Sequence, residues 1–263
     1  YGPTGNGKTS VVSRLFRVYQ DPVLLPYAVE VDGQIIVLYD PAVHEKIDTD
    51  ISDLDRRWVV CRRPCIIVGG EMEPNMLELQ LEESTKVYAA PLQMKANNGM
   101  LVIDDFGRQI LSPRYLLNRW IVPLDRRVDY LTLRYGLKFN IPFEMIVVFS
   151  TNLDPNDLAD EAFLRRIQNK IYVEAVDAEV FGKIFHQIVS DRNLPCEPGS
   201  GDVLRKLCLS LGAKELRACY PLDIVDIIVS IGAYESQPIE INRESLKRAV
   251  KLYFTKPQAP PKE

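Results

Sequence analysis

The stretch Gly2-Pro3-Thr4-Gly5-Asn6-Gly7-Lys8-Thr9, near the head of the chain, fits the pattern G-x-x-x-x-G-K-[ST] at every fixed position. Glycines at this spacing let a loop curl until its backbone N–H groups point inward, which makes a cradle for polyphosphate oxygens. Lys8 adds a point charge for the outer phosphates, and the Thr9 hydroxyl is a ligand for Mg²⁺. Ser10 follows, and then Val11, Val12, Leu15, Phe16 and Val18 recur at helical spacing. The loop is therefore expected to open a helix whose N-terminal dipole favours anions, with Ser10 among the contacts.

A phosphate site also needs a carboxylate to organise magnesium and a base to orient water. Met100-Leu101-Val102-Ile103-Asp104-Asp105 offers both. The apolar run reads as a buried parallel strand, and the acids fall at its C-terminal end, where open α/β sheets place ligands. Asp104 would hold the magnesium shell and Asp105 would polarise the attacking water. A second apolar strand, Met145-Ile146-Val147-Val148-Phe149, delivers Ser150-Thr151-Asn152.

This order of motifs resembles the AAA+ ATPases, in which Walker A, Walker B and sensor 1 follow one another. The resemblance implies ATP and Mg²⁺ as cofactors and Asn152 as sensor 1, an amide that donates to phosphate or positions water without adding charge. It also covers Asp160-Glu161-Ala162-Phe163-Leu164-Arg165-Arg166-Ile167, which resembles the segment carrying the family's arginine finger. Arg166, directly before an apolar residue, is preferred over Arg165; the alternative is a pair of surface arginines matched with Asp160 or Glu161. Arg217 is the candidate for sensor 2, with a plain structural role as its alternative. The family usually has Asp-Glu at Walker B, whereas this chain has Asp104-Asp105. The missing methylene shortens the reach by roughly an ångström, a distance to which catalysis is sensitive.

The expected fold class is α/β: a P-loop NTPase (AAA+) parallel-sheet core with helices on both faces, then a small α-helical lid. The core is expected over 1–176, the lid over 177–255 and a Pro-rich flexible tail over 256–263. Helix-length segments run over 177–190, 201–211, 221–234 and 243–254, separated by Pro195, Pro198, Gly199, Gly212 and Pro238. A strand normally feeds a P-loop, and only Tyr1 precedes this one, so an upstream segment is expected.

Asp32-Gly33 between two apolar runs predicts a hairpin, and Tyr135-Gly136 predicts another over Val128–Ile141. The second lies between the Walker B and sensor 1 strands, a position resembling the pre-sensor-1 hairpin of the branch with MoxR-type, enhancer-binding and branch-migration ATPases. It faces a pore or partner, or else packs as plain structure. Ser112-Pro113 before it reads as a helix N-cap and first turn. Residues 69–99 read as a polar-rich surface insertion with no assigned role.

With a formal net charge of −4, the chain has no global attraction for nucleic acid or anionic lipid. It contains no run near the about 18 apolar residues that span a bilayer. Cys61, Cys65, Cys196, Cys208 and Cys219 are irregularly spaced and read as free thiols in a reducing compartment, which favours the cytoplasm. The expected partners are like subunits in a ring, a hexamer in the family pattern, and an unidentified protein. The leading expectation is a remodelling or regulatory ATPase. Its rivals are a low-turnover ATP-dependent switch or scaffold, a nucleic-acid motor or loader and, last, a small-molecule kinase.

Overall fold

The computed structural model describes residues 1–48, 55–158 and 161–254. The chain divides into two compact units, one of Tyr1 with Lys8–Tyr172, the other of Gly2–Gly7 with the chain from Val173 onward. The proposed tail at 256–263 and Asp160 lie outside the described residues.

The first unit opens with α1 (Lys8–Phe16), β1 (Val23–Pro26), β2 (Ala28–Val31) and β3 (Gln34–Val37). It continues through β4 (Trp58–Cys61), β5 (Cys65–Val68), a 3-10 turn (Pro74–Leu77), β6 (Gln80–Glu82), β7 (Val87–Ala89) and α2 (Leu92–Lys95). Then come β8 (Met100–Ile103), α3 (Pro113–Arg126), β9 (Val128–Thr132), β10 (Lys138–Pro142) and β11 (Ile146–Phe149), with short α4 (Pro155–Leu158) and α5 (Glu161–Leu164) behind them.

The sheet that matters for chemistry is parallel, with β8 between β5 and β11. Met100, Leu101, Val102 and Ile103 are all fully buried. A parallel strand covered on both faces has no solvent side to call for polar alternation, so it reads as one apolar run. Leu101 and Ile103, with their register partners Ile66, Val68, Val147 and Phe149, share a core with Leu116, Leu117 and Trp120 of α3. The Ser112 hydroxyl accepts from the Tyr115 N–H, and Pro113 takes the first helical turn, which starts α3 where the sequence signals it.

Asp32 and Gly33 join β2 to β3 with φ of 51° and 72°, the left-handed pair that a two-residue hairpin of this type requires. β7 then adds to β3 in parallel, and β6 pairs antiparallel with β7. This corrects the expectation that residues 69–99 form a surface insertion. Met72 and Leu77 are fully buried, and β6 and β7 complete the sheet that the hairpin begins. Their three-residue length is too short for period-two alternation to be legible.

β9 and β10 form the second hairpin, with Thr132 opposite Lys138 and Gly136 at φ 83° in the turn. One face is packed: Leu131, Leu133 and Ile141 share a core with Leu25, Ile36, Tyr88 and Met94. The other face and the tip are open, with Tyr135 87% exposed. A buried charge anchors the hairpin base. Asp129, fully buried, accepts from the Arg119 guanidinium of α3, from Gln93 Nε2 at 3.0 Å and from the Tyr130 N–H at 2.8 Å.

The second unit is helical, with α6 (Ala178–Asp191), α7 (Ser200–Leu211), α8 (Tyr220–Glu235) and α9 (Arg243–Tyr253). Asp177 caps α6 through Val180 N–H, and Asn242 with Ser245 forms a reciprocal capping box on α9. Phe181, Phe185, Leu204, Ile224, Ile228, Leu246 and Val250 give this unit its own core. The breakers between helices account for the boundaries, each within a few residues of the segments read from periodicity.

Candidate nucleotide site

Two parallel strands end side by side, and their final residues carry the polar groups. Val148 pairs with Val102 and Phe149 with Ile103, so Asp104-Asp105 and Ser150-Thr151-Asn152 leave the sheet together. Phe106 N–H donates to the Ser150 carbonyl at 2.8 Å, and the Thr151 hydroxyl donates to the Phe106 carbonyl at 2.7 Å. These bonds tie the two strand ends to each other.

Lys8 and Thr9, the first residues of α1, meet this edge. Lys8 Nζ donates to Asn152 Oδ1 at 2.5 Å, and Thr9 Oγ1 donates to Asp104 Oδ2 at 2.9 Å. Asn152 Nδ2 in turn donates to Asp105 Oδ1 at 2.9 Å. The Asp104 carboxylate is held at its other oxygen by the Asp105 N–H, at 3.0 Å. Asp105 itself is exposed and adopts φ 48°, a left-handed conformation uncommon outside glycine and more accessible to Asp and Asn than to most residues. Ser10 is exposed on α1.

Within the helical unit, the Gly2–Gly7 loop lies against the residues that lead into α8. Cys219 N–H donates to the Gly5 carbonyl at 2.9 Å, and Arg217 Nη1 donates to the Thr4 hydroxyl at 3.2 Å. A Cβ on Gly5 would meet Cys219 Sγ at 2.6 Å, whereas nothing lies within 4 Å of where a Gly7 Cβ would sit. Gly5 is thus closed in by Cys219, while the space beside the Gly7 Cα is clear. Asn6 is buried and Pro3 half-buried. Burial, reinforced by the charge of Asp223, pushes the Cys219 thiol up, so it stays neutral and serves as packing.

The arginine pair is divided. Arg166 Nη2 reaches Asp125 Oδ2 at 2.8 Å, and its side chain is only 13% exposed; Arg165 stands exposed. The two candidates thus differ in setting, Arg166 being tied to Asp125 of α3 and Arg165 standing in the open. Asp125 lies far away in sequence on α3, beyond the reach of any local pattern. Sequence reasoning also missed Gln109 and Thr151, which hold the strand ends. Thr151 follows an apolar run within Ser-Thr-Asn and could have been marked there; Gln109 carries no motif signal.

Comparison with known proteins gives a fold and little more. A model for a domain of unknown function, DUF8689, matches residues 177–252, the helical unit. No curated protein matches the sequence. Among solved structures, NtrX from Brucella abortus superposes with a TM-score of 0.51 at 14% identity, over 75% of this chain and 45% of that chain. A second NtrX structure, in complex with ADP, gives 0.49 at 16% identity with the same coverage. A model of the complex between subunits BchI and BchD of magnesium chelatase gives 0.39 at 18% identity, over 95% of this chain and 84% of that one. The chain thus spans about 45% of the length of the NtrX chains it resembles. The fold is that of the AAA+ P-loop ATPases, an α/β core around a parallel sheet with a helical C-terminal unit.

Proposed function

We propose that this chain binds ATP with Mg²⁺ and hydrolyses it, working as one subunit of an oligomeric ring. The observation that carries this reading is the meeting of Lys8, Thr9, Asp104, Asp105 and Asn152 in one hydrogen-bonded group. The donor set fits magnesium. Thr9 and Asp104 offer hard oxygens 2.9 Å apart, and among the described residues no group of three or more His, Cys, Asp or Glu gathers as a full protein cage. Magnesium characteristically keeps its waters and takes phosphate oxygens beside one or two protein ligands. Bound there, it would withdraw negative charge from the transferring phosphoryl group.

Each residue has a role in this reading. The bare backbone of the glycine loop runs on in the chain to Lys8, and together they grip the outer phosphates. Asn152 orients water or phosphate, and Asp105 takes the proton of the attacking water. Arg217 assists from the helical unit, and Arg165 reaches the neighbouring subunit's nucleotide, so that turnover depends on assembly. The hairpin between β8 and β11 supports a place in the branch with pre-sensor-1 hairpins, and its exposed tip suits a protein partner inside a ring, a hexamer by family pattern. A net charge of −4 disfavours nucleic acid as that partner. No helix among the described residues is long and apolar enough to cross a membrane, and all the cysteines are free thiols, which supports a cytoplasmic site of action.

Calorimetric titration with ATP and Mg²⁺ tests the binding. The wild type should saturate and Lys8→Ala should not. An intact, folded wild type that takes up neither ATP nor ADP would end the reading. A low-turnover switch is the second reading, favoured by the short reach of Asp105. Turnover near zero in the assembled state selects it.

A further inference from the structure

The turn that closes β8 contains a side chain whose two amide groups are both spent on backbone. Gln109 Nε2 donates to the Asp104 carbonyl at 3.0 Å, and Gln109 Oε1 accepts from the Gly107 N–H at 3.2 Å. Between those two points the backbone takes left-handed values twice, at Asp105 (φ 48°) and at Gly107 (φ 105°). A left-handed backbone is uncommon outside glycine, and a non-glycine residue is kept there by what surrounds it. The surroundings here are few. Phe106 is buried against Phe149, Gly107 is overlain by Leu153 and Leu158, and Gln109 bridges the turn from the inside. Gly107 has no room to give way, because a Cβ there would lie 2.6 Å from a Leu158 methyl.

We propose that Gln109 is a positioning residue for Asp105: its carboxamide locks the left-handed turn that swings the short aspartate side chain within hydrogen-bonding reach of Asn152. A side chain that lacks one methylene can recover reach only through its backbone, and the backbone here is displaced into the conformation that Gln109 braces. Gln109 touches neither Asp105's carboxylate nor Asn152; it acts through the peptide units on either side. This inference rests on the ATPase reading for its catalytic consequence, and on hydrogen bonds alone for its structural one.

The test uses the full chain and separates the two. In nucleotide-free, ¹⁵N-labelled protein, the Asn152 side-chain amide, assigned by its loss in Asn152→Asp, should be protected from solvent exchange by its bond to Asp105. Gln109→Met keeps length and volume but neither hydrogen bond, and should raise that exchange rate about tenfold, the effect of losing one hydrogen bond of ordinary strength. In turnover assays the same variant should bind ATP within about twofold of wild type and hydrolyse it about ten- to a hundredfold more slowly, a loss in kcat rather than in KM. Gln109→Glu, isosteric and still an acceptor for Gly107, gives the same reading if Gln109→Met does not fold. Unchanged Asn152 exchange in a folded variant overturns the proposal even where wild-type ATPase activity is present. A wild type with a protected Asn152 amide, an exchange rate that rises in the variant and no affinity for ATP overturns the ATPase reading and leaves Gln109's structural role standing.

Discussion

Lys8 Nζ donates to Asn152 Oδ1, and this contact sets what the removal of either should do. Lys8→Ala takes away the one positive charge in the group, so ATP affinity should fall by at least about a hundredfold, given roughly 3 kcal/mol for a charge-assisted contact to phosphate. Thr9→Ala should instead raise the magnesium concentration needed for half-maximal binding, because Asp104 loses its hydroxyl companion; a magnesium titration at fixed ATP reads this. Away from the site, His44 is almost completely buried, accepting from Asp40 N–H at Nδ1 and donating to the Lys95 carbonyl from Nε2. Burial lowers its pKa below the ordinary 6.5. The folded state therefore prefers the neutral ring, and the unfolded state binds the extra proton first as the solution is acidified. Stability that is intact above pH 6.5 should be lost as pH falls below it. Urea midpoints at pH 7.5 and 5.5 should show the drop, and His44→Gln should flatten it.

At the scale of elements, what could be read from the chain depended on how local the cause was. β8 announced itself because burial on both faces demands an unbroken apolar run, and the acids it delivers follow its last buried residue directly; β11, only half-buried beside it, is also an apolar run and is followed by Ser150-Thr151-Asn152. The hairpins were legible through Asp32-Gly33 and Tyr135-Gly136, where the turn geometry selects the residue type. The 69–99 segment was not, since Gln80–Glu82 and Val87–Ala89 pair with each other and with β3, partners whose identity no short window contains. The ion pair of Arg166 was illegible for the same reason, its partner Asp125 being on another element. Such long-range ties can be weighed. Arg119 joins α3 to the β9–β10 hairpin by a pair whose acid is fully buried. Arg119→Met would strand that charge and should destabilise the first unit by about 3–5 kcal/mol. Asn242→Ala removes the box that starts α9 and should cost only about 1–2 kcal/mol. Chemical denaturation of the two variants ranks them, and a larger loss from Asn242→Ala would contradict the burial argument.

For the whole molecule, the two units carry separate cores, and this bears on how the chain unfolds and assembles. A fragment over 173–254 contains the complete helical cluster and both cap motifs, and should fold by itself with a cooperative thermal transition followed by circular dichroism. A fragment that remains a random coil would mean that its core depends on the remainder of the chain. Assembly has its own signature. If Arg165 acts across a subunit boundary, the specific ATPase rate should rise with protein concentration in the wild type and stay flat in Arg165→Ala, while Arg166→Ala should lower stability through loss of its Asp125 pair.

Gly99 stands at the entrance of β8, where a methyl group would come within 2.0 Å of the Pro64 carbonyl oxygen. That obstacle is main chain, which cannot rotate aside as a side chain can, and it lies directly before β5, the strand next door. In a saturation library scored for folded protein, position 99 should therefore admit no substitution, not even alanine. The join between β5 and β8 thus rests on a contact with no slack, fixed by the bare Cα of one residue.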